Sequence, residues 1–82
     1  MYTVYVLQDK DGKLYKGMTN NLSRRIKEHK VGRTRTTKIM KELKVIYTEI
    51  YDTRIDARVR EKYLKSAAGR KFLKKVLGQT RL

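Results

Sequence analysis

YTVYVLQDKDGKLYKGMT, residues 2–19, contains two apolar segments that are separated by a polar turn. Residues 2–7 are rich in β-branched and aromatic side chains, which favour a strand. Asp11-Gly12 in the turn can supply the positive φ that a tight hairpin requires. Residues 14–19 then return as a second strand. We therefore predict that the chain begins with an antiparallel β-hairpin.

The hairpin carries two tyrosines, Tyr5 and Tyr15, and Arg25 follows the second one by ten residues. Gly17 interrupts the second strand without a side chain, which indicates a close approach by another backbone or a ligand at this position. Tyrosine hydroxyls and an arginine on a small basic chain suggest chemistry on a phosphodiester, in addition to binding. Without Arg25 and a carboxylate partner, the same tyrosines would be interpreted as core residues.

A first helix is predicted over residues 22–31, with Asn20 or Asn21 as its N-cap and Gly32 as its end. The spacing i, i+4, i+7 indicates that one helix face is buried. This face consists of Leu22, Ile26 and His29. Arg25 flanks the face, so its side chain can reach the edge of the sheet.

Four further segments complete the prediction. They are a basic loop with a short helical piece at 30–44, a strand at 45–51, a helix at 53–67 and a last helix at 70–77. Ser66 or Gly69 marks the break between the two last helices. The order is ββαβαα, so we expect an α+β fold with a three-stranded antiparallel sheet flanked by helices, as one domain over residues 1–82.

The charge is strongly unbalanced, with 22 Lys and Arg against 8 Asp and Glu and a formal net charge of +14. Such a chain attracts polyanions, and nucleic acid is the first partner to consider. An anionic membrane is a weaker alternative, because no segment has the aromatic amphipathic character of an interfacial anchor. A solvated basic surface without a dedicated partner is a third interpretation.

The chain contains no Cys, which excludes disulfides and cysteine zinc sites and is compatible with a reducing compartment. The first residues lack the pattern of a signal peptide, and no apolar run approaches the roughly 18 residues of a membrane span. We expect no membrane partner and an intracellular location, either cytoplasmic or nucleoid-associated.

Glu61 is an unusual carboxylate in the predicted helix at 53–67. Helical spacing places it within an apolar stripe of Ala57, Leu64 and Ala68, beside a second stripe of Ile55, Val59 and Tyr63. A buried carboxylate without a partner is costly. A divalent cation would explain it, since Mg²⁺ is held by one or two carboxylates together with water and substrate phosphate. The alternative is an ion pair, for instance with Arg58 or Arg25.

These residues in their order resemble the GIY-YIG nuclease domain family over essentially the whole chain. The first signature stands as Thr3-Val4-Tyr5 and the second as Tyr15-Lys16-Gly17. Further matches are Arg25 within the segment that starts at Asn21, Glu28-His29 and Arg60-Glu61-Lys62. Thr3-Val4 replaces the family's Gly-Ile, and Lys16 replaces an isoleucine, whereas every position that would carry chemistry is retained.

The resemblance implies metal-dependent hydrolysis of a DNA phosphodiester, with Mg²⁺ or Mn²⁺ held by Glu61. Arg25 would bind the scissile phosphate and offset its developing charge. Tyr5 or Tyr15 would orient or deprotonate the attacking water, and the sequence leaves open which one is the base. His29 is a candidate helper in proton transfer or phosphate contact, and a buried structural histidine is the alternative.

Three functions therefore compete. The first is a structure-selective or weakly sequence-specific DNA endonuclease. The second is a noncatalytic nucleic-acid-binding module, with RNA as a possible ligand. The third is a nuclease fold that requires a protein partner for substrate choice or activity. The sequence does not define the oligomeric state. The basic residues predicted to contact phosphate are Lys16, Arg33, Arg35, Lys38, Lys41, Arg70, Lys71 and Lys74.

Overall fold

A computed structural model describes residues 1–31 and 42–78. The elements are β1 (Tyr2–Gln8), β2 (Leu14–Thr19), α1 (Leu22–Lys30), β3 (Lys44–Tyr51), α2 (Arg54–Lys65) and α3 (Ala67–Gly78). Within these residues the order is ββαβαα, and the strands form a three-stranded antiparallel sheet, as predicted. The predicted loop and helical piece at 30–44 lie mostly outside the described residues.

The strand order in the sheet is β2-β1-β3, so β1 lies in the centre and β2 forms an edge. Gly12, with φ of 87°, makes the turn of the hairpin as its sequence predicts. Tyr5 lies opposite Gly17 and Leu7 lies opposite Tyr15 across the β1–β2 ladder. This register places the two tyrosine side chains on one face of the sheet, because their partners alternate with period two.

The two faces of the sheet pack against different helices. Val4 and Val6 of β1 are fully buried against α2 and α3, in a cluster with Ala57, Leu64 and Leu73. On the other face, Tyr5 and Leu7 pack with residues of α1, namely Leu22 and Ile26. The central strand is therefore buried on both sides, and the α1 face holds the tyrosines.

Helix caps agree with the predicted boundaries to within a few residues. The Asn21 side chain accepts a hydrogen bond from the Arg24 amide, so Asn21 and not Asn20 is the N-cap of α1. Thr53 caps α2 in the same way. Ser66 makes the break before α3, whereas Gly69 lies within α3, where a Cβ atom would come 1.9 Å from the carbonyl oxygen of Tyr63.

The fold buries only one of the two apolar stripes of α2. Ala57 and Leu64 are fully buried, whereas Ile55 and Val59 are 75% and 64% exposed. The helix turns its Ala57–Leu64 stripe to the sheet and leaves the Ile55 side uncovered by the described residues. None of the helices in the described part of the chain is long and apolar enough to cross a membrane.

Candidate active site

The close approach at Gly17 exists, but a tyrosine side chain makes it, and the predicted backbone or ligand does not. A Cβ atom on Gly17 would lie 2.6 Å from the hydroxyl oxygen of Tyr5 and 3.2 Å from the ring of Tyr15. Real Cβ atoms do not approach other atoms this closely, so the absent side chain makes room for the Tyr5 phenol. The two tyrosine rings then stack with centroids 6.3 Å apart.

His29 joins the tyrosines from α1. Its Nε2 lies 2.8 Å from the Tyr5 hydroxyl, and its ring meets the Tyr15 ring edge-on with centroids 4.7 Å apart. His29 and Tyr5 are each 1% exposed. The helical spacing that predicted a buried His29 is confirmed, and the histidine has a specific polar partner at the site.

Arg25 lies one turn before His29 on the same helix. Its Nη1 donates a hydrogen bond of 3.0 Å to Oε1 of Glu28, and its side chain remains 35% exposed. Hydrogen bonding with Tyr5, and to a smaller extent with Glu28, raises the pKa of Arg25 above its ordinary value. The guanidinium is therefore a permanent positive charge with one side held by protein and the other side accessible.

Burial sets the protonation of the two groups behind Arg25. It raises the pKa of Tyr5 to about 12, although the hydrogen bond with Arg25 acts in the opposite direction. Burial, together with the positive charge of Arg25, lowers the pKa of His29. Tyr5 is consequently a neutral phenol and His29 a neutral imidazole near pH 7.

A cleft of about 440 Å³ opens between α1 and α2 at the end of β2. Arg25 and Glu28 line it from α1, and Glu61 lines it from α2. Neither catalytic tyrosine candidate is part of its lining, but both hydroxyls interact with Arg25, which is. The structure therefore brings the five predicted site residues to one region, with Arg25 and Glu61 at the same cleft.

Glu61 has a partner that the sequence analysis did not name. Its Oε2 accepts a hydrogen bond of 3.1 Å from Nζ of Lys65, one turn along α2. The ion-pair alternative is therefore confirmed, with Lys65 as the partner in place of the named examples Arg58 and Arg25, which line the cleft with Glu61. The side chain of Glu61 is 15% exposed, so the carboxylate is partly shielded from water.

The basic residues predicted to contact phosphate divide into three groups. Lys16, Arg70 and Lys74 line a second, larger groove on the α3 side of the sheet. Lys71 is exposed and lies outside the lining of both depressions. The four predicted residues Arg33, Arg35, Lys38 and Lys41 lie outside the described residues.

Three arginines that were not predicted as site residues line the cleft with Glu61. They are Arg24, Arg54 and Arg58, of which Arg58 was considered only as an ion-pair partner of Glu61. The positions 54, 58, 61 and 65 follow the spacing i, i+4, i+7, i+11, which places them along one face of α2. The spacing of this charged stripe is visible in the sequence, because helical periodicity places charged residues on one face as it does apolar ones.

A separate polar cluster on the α2–β3 side was also missed. Glu49 binds Arg60 through two hydrogen bonds of 2.9 and 3.0 Å and accepts further hydrogen bonds from Tyr47 and Tyr51. Arg60 in turn lies 4.8 Å from the ring centroid of Phe72. The cluster joins α2 to β3, and none of its side chains lines the cleft. Its role is therefore to stabilise the fold.

The chain is similar in sequence to proteins of several bacteria. The chain is 35% identical to a UPF0213 protein of Staphylococcus saprophyticus over 72 residues, which cover 87% of this chain and 88% of that protein. It is 41% identical to a UPF0213 protein of Clostridium perfringens over 66 residues, covering 79% and 71% of the two chains.

A solved structure has a similar fold. The solution NMR structure of the UPF0213 protein BH0048 from Bacillus halodurans matches with a TM-score of 0.57 and 29% identity, over 93% of this chain and 85% of that chain. The family model described as the GIY-YIG catalytic domain matches residues 1–75. With the hairpin tyrosines, Arg25 and Glu61 in one region, the chain belongs to the GIY-YIG family, whose domain is a nuclease fold.

Proposed function

We propose that this protein is a divalent-metal-dependent endonuclease that hydrolyses phosphodiester bonds in DNA, with structure selectivity or weak sequence specificity. The observation that carries the proposal is the cleft that Arg25 and Glu61 line together. A binding module has no need of a carboxylate where a phosphate would lie. A nuclease requires both a cation that binds phosphate and a carboxylate that can hold a metal.

Arg25 would bind the scissile phosphate. Its guanidinium is held on one side by Glu28 and the tyrosine hydroxyls and is accessible on the other. A planar guanidinium can donate two hydrogen bonds to phosphate oxygens and offset negative charge that develops there. The arginines Arg24, Arg54 and Arg58 at the same cleft would attract the phosphate backbone.

Glu61 fits a metal site by its position in the cleft with Arg25 and because carboxylate oxygens are ligands that Mg²⁺ prefers. No group of three His, Cys, Asp or Glu side chains within residues 1–31 and 42–78 could hold a metal ion. An ion at Glu61 would therefore take water and substrate phosphate as its other ligands, which suits Mg²⁺ or Mn²⁺. When bound, the ion would supply positive charge at the phosphate and stabilise the leaving oxygen.

The two tyrosines would have different roles. Tyr15 is partly exposed and lies beside Arg25, so its hydroxyl would orient the attacking water. Tyr5 is 1% exposed and binds His29, so it would hold Arg25 and the imidazole in place. Its pKa of about 12 makes the phenolate rare near pH 7. Because the Tyr15 hydroxyl would act on the attacking water, Tyr15→Phe should lower the cleavage rate more than the affinity for DNA.

The test is cleavage of a panel of labelled DNAs (duplex, single strand, flap, branched and supercoiled) with Mg²⁺ or Mn²⁺. Binding to the same substrates is measured in parallel. We expect Glu61→Ala and Arg25→Ala to lose cleavage, whereas Lys62→Ala, an exposed neighbour on α2 that does not line the cleft, should retain it. Tight binding without cleavage of any substrate would instead indicate a binding module or a nuclease that requires a partner.

A further inference from the structure

The larger groove lies on the opposite face of the sheet from the tyrosines. Lys16 extends from β2 next to Tyr15, and adjacent strand residues point to opposite faces. The floor of the groove is apolar and its walls carry charge. Leu14, Ile46 and Leu73 line the floor, and Lys16, Arg70 and Lys74 line the basic wall.

The basic wall holds like charges close together. Burial lowers the pKa of Lys16, and the positive charges of Arg70 and Lys65 lower it further. Among the described residues, no carboxylate forms an ion pair with Lys16, Arg70 or Lys74. A cluster of cations without an acidic partner is destabilising by itself and is stabilised by a bound anion.

Two aspartates of the hairpin turn, Asp9 and Asp11, also line the groove. The Oδ1 of Asp9 accepts hydrogen bonds from the backbone amides of Asp11 and Lys13, at 2.9 and 2.8 Å, which close the turn. Among the described residues, neither aspartate forms an ion pair with Lys16, Arg70 or Lys74. The groove is therefore acidic at its hairpin end and basic along α3.

Lys65 connects this wall to the cleft. Its Nζ binds Glu61, its charge acts on Lys16, and its backbone carbonyl accepts a 3.0 Å hydrogen bond from Nη1 of Arg70. Charged groups therefore continue from Glu61 through Lys65 at the end of α2 to Lys16 and Arg70 in the groove. We call Lys65, Lys16, Arg70 and Lys74 the basic track.

We propose that the basic track binds the sugar–phosphate backbone of the nucleic-acid segment that flanks the scissile phosphate, on one side of it only. This inference rests on the proposed function, because the cleft defines where the scissile phosphate lies. No aromatic side chain lines the groove in the described part of the chain, so base stacking is not part of the contact. Lysine and arginine contacts to phosphate position a strand without reading its sequence.

The first experiment measures binding of labelled DNA in EDTA, where cleavage cannot occur, as a function of salt concentration. The variants are Lys16→Gln, Arg70→Gln and Lys74→Gln. Lys75→Gln is the matched control, since Lys75 is an exposed neighbour of Lys74 on α3 that does not line the groove. Thermal melts of all four variants show that each one folds.

We expect each track variant to weaken binding about fivefold near 0.1 M salt and to reduce the slope of log K against log salt by about one. The control should change affinity less than twofold. Equal losses in Lys74→Gln and Lys75→Gln would overturn the basic track, because they would show that only net charge matters. Unchanged binding in all track variants would overturn it as well.

The second experiment uses cleavable DNAs whose flanks are shortened on one side of the cut at a time. Shortening the flank on the track side should remove the difference between wild type and Arg70→Gln, whereas shortening the other flank should leave it. Equal dependence on both flanks would overturn the one-sided path. If no DNA is cut while the binding pattern in EDTA holds, the proposed function fails and a phosphate-binding track remains.

Discussion

The hydroxyl of Tyr5 lies 2.8 Å from Nε2 of His29, and both side chains are 1% exposed. The pair joins the central strand to α1 directly behind Arg25. A neutral imidazole and a neutral phenol can form this hydrogen bond, because each can donate or accept a proton in it. Burial favours the neutral form of each group. The position of Arg25 thus depends on two groups whose charge states the protein interior controls.

The first prediction concerns the titration of His29, which is the single histidine of the chain. Burial and Arg25 lower the pKa of His29 in the folded state, so the unfolded chain binds the proton more readily. Stability from this group is complete above its ordinary pKa of about 6.5 and decreases as the pH falls below it. NMR of the imidazole protons should give a pKa below 6.5, together with a lower urea midpoint at pH 5.5 than at pH 7.5.

His29→Gln is the control for this prediction, because it removes the titrating group and keeps a polar side chain near Tyr5. The part of the fall in urea midpoint between pH 7.5 and pH 5.5 that is due to His29 should then disappear. A histidine pKa at or above 6.5 would contradict the buried neutral imidazole.

The second prediction concerns Gly17. In Gly17→Ala the new Cβ would meet the Tyr5 hydroxyl at 2.6 Å and its Cζ at 2.7 Å, so the phenol must move. Overpacking of this kind costs about 1–3 kcal/mol of the free energy of unfolding. The displacement should also lower the proposed cleavage rate at least tenfold. Urea denaturation and single-turnover cleavage measure the two effects.

Gly78→Ala provides the comparison in stability, since no atom lies within 4 Å of a Cβ at Gly78. We expect its free energy of unfolding to stay within about 0.5 kcal/mol of wild type, as for most exposed substitutions. Equal stability of Gly17→Ala and Gly78→Ala would show that the Tyr5 phenol does not occupy the space opposite Gly17.

The third prediction concerns Glu49, which binds Arg60, Tyr47 and Tyr51 away from the cleft. Burial raises the pKa of its carboxyl, but the hydrogen bonds from Arg60 and the tyrosines outweigh burial and lower the pKa overall. Its contribution to stability is present above its ordinary pKa and is lost as the pH falls through the lower folded-state pKa. Glu49→Gln should cost about 1–3 kcal/mol at pH 7, because several polar partners lose a charged acceptor.

This loss should be confined to stability. Well below the folded-state pKa of Glu49, the difference between wild type and Glu49→Gln should shrink in urea titrations. Cleavage per folded molecule should match wild type at a temperature where both are folded. A selective loss of cleavage in Glu49→Gln would contradict the structural role of the cluster.

The fourth prediction concerns Lys65, whose ammonium lies 3.1 Å from Oε2 of Glu61. A cation at this carboxylate competes with a metal ion for the same oxygen. Lys65 is 54% exposed in its side chain, and exposed ion pairs contribute only about 0–1 kcal/mol. Lys65→Met should therefore tighten Mn²⁺ binding by up to about fivefold in the absence of DNA, as measured by the loss of the free Mn²⁺ signal in EPR.

Glu61→Gln should abolish this binding, and Lys62→Met, which changes the neighbouring exposed lysine, should leave it unchanged. Weaker Mn²⁺ binding in Lys65→Met would show that Lys65 orients the carboxylate and does not compete for it.

The hairpin, the helix that carries Arg25 and His29, and the α+β order were predictable because each rests on local patterns. Asp11-Gly12 specifies the turn, Asn21 caps α1, and the i, i+4, i+7 spacing orients His29 inward. The exposure of Ile55 and Val59 was not predictable in this way. Apolar spacing tells which residues share a face of α2, but packing against the sheet selects only one of two such faces.

The partners of the charged residues were the least predictable part of the site. Several cations were compatible with Glu61 by spacing, and the structure pairs it with Lys65 while Arg58 and Arg25 share its cleft. The alternation of β2 predicts that Lys16 and Tyr15 point to opposite faces, but only the packing of α3 places Lys16 in one groove with Arg70. Charge–charge contacts depend on how elements pack, and long side chains can reach several partners at similar energy.

The amino-acid sequence alone therefore determined the hairpin, the order of elements, the basic character and the candidate catalytic residues. Turn residues, caps and periodicity act within a few positions of the chain, so they can be recognised without the tertiary structure. Only the tertiary structure decided that the Tyr5 phenol fills the space left by Gly17, that Arg25 and Glu61 line one cleft, and that Lys16 belongs to a second groove with Arg70. These relations join residues far apart in the chain, and sheet register and helix packing set them.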